Sequence, residues 1–246
     1  MKKSIKITTI VFILGISILG ACTFFIVQGS GKIVSESRDV NNFSSILLYG
    51  TGNLTIFQGG YESLTVETDD NLMEFIETGV ESGTLYIGTA NGVILKPSQG
   101  IYYYLHVKEI RTIVVSGSSK VYANSLYVTD TFYVKVSGST RLEIDDITAD
   151  NIDINVSGSG YVDLSGESEA LNIGISGDCT HNSSNLECMY AMVDISGSGN
   201  VTLWVTKSLQ VDISGDGDVK YYGNPTVNVA LSGSGNVVPL GAKQFY

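Results

Sequence analysis

The stretch Val193-Asp194-Ile195-Ser196-Gly197-Ser198-Gly199-Asn200-Val201-Thr202-Leu203 decides how this chain is read. Apolar Val193, Ile195, Val201 and Leu203 alternate with polar residues on either side of a Ser-Gly step. Period-2 alternation rich in β-branched residues marks a strand buried on one face. The arrangement recurs, with steps opening at Ser116, Ser137, Ser157, Ser176, Ser196, Ser214 and Ser232, 18–21 residues apart. A period of about 20 is the signature of stacked repeats, none of which buries its apolar face alone.

Counting from the motif serine, position −1 is Val115, Val136, Val156, Ile175, Ile195, Ile213 or Leu231. Position −3 is Ile113, Val134, Ile154, Ile173, Val193, Val211 or Val229. The alternation resumes at +5 (Val121, Leu142, Val162, His181, Val201, Val219, Val237) and +7 (Ala123, Ile144, Leu164, Ser183, Leu203, Tyr221, Pro239). Position +1 is glycine in every copy: Gly117, Gly138, Gly158, Gly177, Gly197, Gly215 and Gly233. Glycine suits a sharp corner because it reaches positive φ at little steric cost. Each repeat therefore reads strand, glycine corner, strand, longer connection. The motif serines should stack in a row, their hydroxyls within reach of neighbouring corners. We expect an all-β parallel β-helix or β-solenoid with coils of 18–21 residues. At about 4.8 Å per coil, seven copies make a rod of roughly 34 Å. An antiparallel sandwich or barrel explains short strands but not the repeated Ser-Gly register.

The 246 residues include 28 glycines and 3 prolines, and the formal net charge is −11. That acidity argues against nucleic acid as a partner, which needs a basic footprint. It also disfavours anionic partners unless a cation bridges them.

Residues 1–27 read as an export signal or membrane anchor. Lys2, Lys3 and Lys6 precede an apolar run from Ile10 to Val27, and no further charge appears until Lys32. A basic start followed by an apolar run is an export pattern. Leu19-Gly20-Ala21-Cys22 resembles a bacterial lipobox, which implies cleavage before Cys22 and a lipid on that cysteine. The rival is an uncleaved helical anchor, because the uncharged run is long enough to cross about 30 Å of hydrocarbon. Either form places the body outside the membrane. Residues 28–36 are expected to be a short linker, with a single β-body over 37–246 and its regular part at 116–246.

Ile46-Leu47-Leu48-Tyr49-Gly50 and Leu54-Thr55-Ile56 repeat the pattern with Tyr49 in the serine slot, giving an eighth, divergent copy. Residues 57–112 hold strand signals whose register is open; they make about three longer coils or a small sheet capping the rod. Cys179 and Cys188 bracket a segment where His181 and Ser183 break the apolar columns. Outside the cytoplasm this spacing suggests a disulfide across a protruding loop; the alternative is two small buried residues.

The extracytoplasmic part, from about Gly31 to Tyr246, resembles the head GIN domain family of auto-transporter adhesin heads. The resemblance is carried by Val40-Asn41-Asn42-Phe43-Ser44-Ser45-Ile46, by Gly50-Thr51-Gly52-Asn53-Leu54-Thr55-Ile56 and by the Ser-Gly ladder. It implies a right-handed helical all-β fold and a surface location. It carries over no catalytic motif.

No catalytic set, metal set or cofactor motif emerges from the residues. The two histidines, His106 and His181, lack a nucleophile and acid at triad-like context. The Gly-x-Gly strings lack the strand-loop-helix setting of phosphate loops. Asp178, Asp216 and Asp218 do not recur with the period of a calcium ladder. Asp145/Asp146 and Asp194/Asp212 invite a glycosidase or lyase pair, but outward aspartates in an acidic protein are ordinarily solvated. Tyr122, Tyr133 and Tyr161 fall at outward positions, where rings stack on sugars or simply favour strands. The expected function is a membrane-anchored surface module that binds a glycan or envelope protein, or acts as a scaffold, without catalysis. The alternative is a polysaccharide-active hydrolase or lyase on a β-helix.

Overall fold

The computed structural model describes residues 25–244. Its strands, in chain order, are β1 (Phe25–Gln28), β2 (Ile33–Arg38), β3 (Ser45–Gln58), β4 (Ser63–Asp69), β5 (Ile76–Glu81), β6 (Thr84–Thr89), β7 (Val93–Lys96) and β8 (Tyr102–Val107). They continue as β9 (Thr112–Ala123), β10 (Leu126–Ile175), β11 (Asp178–Ile195), β12 (Asn200–Ile213), β13 (Asp218–Tyr222), β14 (Thr226–Leu231) and β15 (Val237–Gly241). Almost all belong to one large mixed sheet; β1 pairs only with β7.

The repeats pair in parallel, in the register their columns dictate. Ile113 lies beside Val134, Gly117 beside Gly138 and Val121 beside Leu142. Further along, Ile173 pairs with Val193, Val193 with Val211, and Val211 with Val229. A one-residue slip would turn every apolar column to solvent, so the register is strongly specified. The divergent copy joins the same stack, with Ile46 beside Ile113, Gly50 beside Gly117 and Leu54 beside Val121.

Residues 57–112 close the stack rather than extending it by three coils. Strands β6 and β8 lie parallel on the two halves of β3. Antiparallel strands then cover them: β5 on β6, β4 on β8 and β2 outermost on β4. The expected linker at 28–36 is corrected accordingly. Ile33–Arg38 is that outermost strand, and its Ile33 and Val34 are only half-exposed. The apolar run also ends differently from the helical span drawn through Val27, because Phe25–Gln28 is extended and hydrogen-bonded along β7. The remainder of the export segment, including Cys22, lies outside the described residues.

One continuous core runs from Val40 to Val219. At the far end, Val229 (40% exposed) and Leu231 (49%) occupy columns that are fully buried in every earlier repeat, because among the described residues no further strand covers β14. Thus one end of the stack is capped and the other leaves core positions in solvent.

The glycine column is set by backbone proximity more than by φ. A Cβ on Gly117 would overlap the carbonyl oxygen of Gly50, and the same holds for Gly138 on Gly117, Gly158 on Gly138, Gly177 on Gly158, Gly197 on Gly177, Gly215 on Gly197 and Gly233 on Gly215. Only the first three of these seven have φ between +120° and +150°. In the later ones any residue could adopt the dihedrals, yet no side chain fits. The serine hydroxyls form no ladder. The rungs are backbone bonds, such as Ser176 N–H to Val156 O at 2.9 Å and Ser198 N–H to Gly177 O at 3.0 Å.

A second size match links neighbours. A Cβ on Gly199, Gly217 or Gly235 (position +3) would press on Ile175, Ile195 or Ile213 of the preceding repeat, at 2.8–2.9 Å. Where the preceding −1 residue is Val115 or Val156, position +3 holds Thr140 or Cys179 instead. The larger isoleucine takes part of the volume that a +3 side chain would need, and at Gly217 and Gly235 the backbone oxygen of the preceding +3 glycine stands closer still. Glycine also follows Val136, at Gly160, so the match runs in one direction only.

Gly197→Ala should therefore lower stability by about 2–3 kcal/mol, since only backbone stands in its way. Gly60→Ala, which meets nothing within 4 Å, should stay within about 0.5 kcal/mol. Urea unfolding midpoints of the two variants test the contrast.

Candidate functional site

Outward positions of successive repeats form columns just as the core positions do. At +2 stand Ser118, Ser139 and Ser159, and at +4 stand Lys120, Arg141 and Tyr161. Thr51 and Asn53 continue both columns on β3. These side chains floor a groove of about 540 Å³ whose other wall is Pro97, Gly100 and Ile101. Its lining carries several hydroxyls, two cations and one tyrosine, and contains no carboxylate.

The wall is held by one buried acid. Asp69 is fully buried and accepts bonds from Ser98 N–H (2.8 Å), Ser98 Oγ (2.7 Å) and Gly31 N–H (2.7 Å). Burial pushes its carboxyl up, but these donors together outweigh that and hold it below the usual carboxylate range. Thr68 Oγ1 donates to Gly100 O at 3.2 Å. The 97–101 segment is thereby fixed against the end of β4.

The floor is partly preset. Arg141 Nε donates to Glu143 Oε1 at 2.8 Å, and its guanidinium lies 4.2 Å from the centre of the Tyr161 ring. Tyr161 in turn donates its hydroxyl to Asp163 at 2.9 Å. The bond to Glu143 raises the Arg141 pKa further above its ordinary value. Thr140 is buried behind Arg141, and its hydroxyl has no partner.

The other singled-out residues lie away from this groove. Tyr122 donates to Asp145 at 2.6 Å, and Tyr133 is exposed on a different column. Asp194 and Asp212 are exposed cross-strand neighbours, and Asp218 is engaged by Asn236. His106 stacks between Phe57 and Tyr61, at 5.0 and 4.6 Å. The sequence columns at −3, −1, +5 and +7 give the core; the same reading applied to +4 picks out the adjacent cations Lys120 and Arg141.

The segment at Cys179–Cys188 is not a protruding loop, and its expected disulfide is not formed. Both cysteines belong to β11, face the core and are free. His181, Ser183 and Leu186, all inward-facing, lie between them along the strand. Cys188 Sγ donates instead to Trp204 O at 3.3 Å. Burial pushes the thiols up to about 11 and about 12, so they are poor nucleophiles. His181 Nε2 and Ser183 Oγ are 2.6 Å apart, and Nδ1 has no partner. Burial lowers the His181 pKa to about 3. The pair is sealed in the core, out of reach of any substrate.

Fold and groove together define an all-β repeat module with a carboxylate-free surface cleft. Residues 42–225 match the profile of the family described as "Putative auto-transporter adhesin, head GIN domain", and the chain belongs to that family. The structure resembles a "putative adhesin" from Bacteroides fragilis (TM-score 0.78, 21% identity, covering 87% of this chain and 100% of that one). It also resembles a "putative lipid binding protein" from Parabacteroides distasonis (0.70, 20%, 87% and 99%) and a "putative adhesin" from Parabacteroides merdae (0.67, 16%, 88% and 99%). At these identities the likeness is one of fold. No curated protein matches the chain.

The buried histidine has a pH consequence. Its folded pKa of about 3 lies below the ordinary 6.5, so between those values the unfolded chain binds a proton that the folded chain refuses. Its contribution to stability is thus full above pH 6.5 and falls as pH drops toward 3. The double variant His181→Val, Ser183→Leu restores the apolar residues of neighbouring repeats. It should flatten the decline in unfolding midpoint between pH 6.5 and 4 without lowering the midpoint at pH 7.

Proposed function

We propose that this protein is an extracytoplasmic surface-binding module without catalysis, held at a membrane by its N-terminus. In this reading the repeats wind as a right-handed parallel β-solenoid, a rigid rod that presents the groove to a surface glycan or envelope protein. The supporting observation is the groove itself: a concave strip on a hydrogen-bonded scaffold, free of carboxylates, with a largely apolar surface dotted by hydroxyls and two cations. A glycosidase or lyase pair would need two carboxyl groups facing one cleft, so the lining favours binding over hydrolysis. Family membership supports the surface location.

The anchor in this reading is either a lipid on Cys22 or the uncleaved apolar segment as a helix, and both lie outside the described residues. Among the described residues no helix is long and apolar enough to cross a membrane. With β1 starting at Phe25, an uncleaved anchor would have Ile7–Phe24, roughly 18 residues or about 27 Å of helix. That lies within the range of about 17–25 residues that span a bilayer. Stable attachment by lipid takes more than one chain or signal.

In a bacterial host, the full chain should incorporate labelled palmitate and fractionate with membranes, and Cys22→Ser should abolish the labelling. Persistent membrane retention of an unlabelled, uncleaved Cys22→Ser chain at wild-type level would favour the helical anchor. Cells displaying the full chain should attach to glycan- or envelope-coated surfaces, and Ser139→Trp, which fills the groove, should remove attachment without shifting the unfolding midpoint. Attachment indifferent to Ser139→Trp would overturn the role of the groove.

A further inference from the structure

We infer that the groove is a site for an acidic oligosaccharide, a hydroxyl-rich chain carrying isolated carboxylates, with Lys120 and Arg141 as its anion-binding groups. The inference rests on the groove being the binding surface proposed above and specifies its ligand.

Lys120 and Arg141 are direct cross-strand partners. Like charges placed opposite each other on neighbouring strands destabilise a sheet. This juxtaposition occurs in a chain with 14 basic and 25 acidic residues, where acidic neighbours are readily supplied. Among the other described cations, Lys32, Arg38, Lys108 and Arg111 pair with Asp70, Glu36, Glu62 and Glu109, whereas Lys96, Lys135, Lys207, Lys220 and Lys243 form no ion pair. What sets Lys120 apart is a second cation directly across the strand. Arg141 has Glu143, but Lys120 has no acidic partner among the described residues. An anion seated between the two would relieve the repulsion.

The second observation is independent of charge. Thr140, 4% exposed, stands next to Arg141 on the same strand at the base of the groove, and its buried hydroxyl is unpartnered. Buried polar groups are normally bonded. Ser118, Ser139 and Ser159 repeat beside it at the strand spacing of about 4.8 Å, which offers evenly spaced donors and acceptors to an extended hydroxylated chain. Arg141 is preset by Glu143 and Tyr161, so little ordering is needed there on binding.

Net charge limits the ligand further. A chain at −11 repels densely charged polyanions at long range. A sugar chain with separated carboxylates meets the local cation pair without that opposition. An acidic peptide would supply carboxylates but would leave the hydroxyl row without matching groups.

The test uses the full chain in detergent and a panel of uronate- and sialate-containing tetrasaccharides, with their methyl esters and tetraglutamate as controls. Calorimetric titration should show binding of at least one acidic tetrasaccharide. The methyl ester should bind at least tenfold more weakly, and Lys120→Gln should lose at least tenfold in affinity. Lys135→Gln, outside the groove, should bind as wild type. Without ligand, Lys120→Gln should unfold at the same or a slightly higher temperature, which separates lost binding from lost folding. Equal binding of the methyl esters, equal or better binding of tetraglutamate, or no binding by any acidic sugar would overturn the proposal. If attachment of displayed cells still depends on an open groove in those cases, the binding-module reading stands and only the ligand class fails.

Discussion

The structure depends on backbone meeting backbone at the corner column. From Gly117 to Gly233 each corner glycine rests on the peptide of the one before it, beginning with Gly50, at a separation that admits no side chain. This contact sets the spacing of the stack where the chain turns, a place where sheets usually loosen or bulge. The strands on either side keep their parallel registers because the corner does not force them apart. The inward columns then stack residue on like residue, and the core follows.

Outward columns inherit the same order. A side chain at +4 finds the +4 side chain of the next repeat beside it, so any chemistry placed there is automatically arrayed. Asn53, Lys120, Arg141 and Tyr161 form such an array because the glycine corner lies three residues before them. The groove also needs a second wall, supplied by the capping region through Asp69 and the 97–101 segment. The site therefore lies where regular repeats meet the irregular cap, and neither part forms it alone.

Much of this was legible in the residues. The −3, −1, +5 and +7 columns identify the core directly, and Tyr49-Gly50 declares the front copy despite its missing serine. The cap was harder to read. Strands such as Leu64-Thr65-Val66 and Leu85-Tyr86-Ile87 have the right alternation, but alternation does not tell parallel from antiparallel pairing. The cysteine pair misled because spacing and compartment suggest a bridge, whereas strand direction puts both sulfurs at separate inward positions. The glycine rule was visible but its cause was not: φ explains the early copies, and only the neighbouring peptide explains the later ones. Loop 97–101 and its buried Asp69 left no periodic trace at all.

The exchange of volume between −1 and the following +3 position has a consequence for how such a chain can change. Ile175, Ile195 and Ile213 each demand a glycine one turn later, while Val115 and Val156 leave room for Thr140 and Cys179. Repeats are thus keyed to their predecessors and are not freely interchangeable tiles. A duplication or transposition that ends on isoleucine but inserts a unit beginning with threonine creates a clash, whereas one that preserves the key passes unnoticed. Recombination within the ladder should accordingly favour whole blocks of matched neighbours over single units.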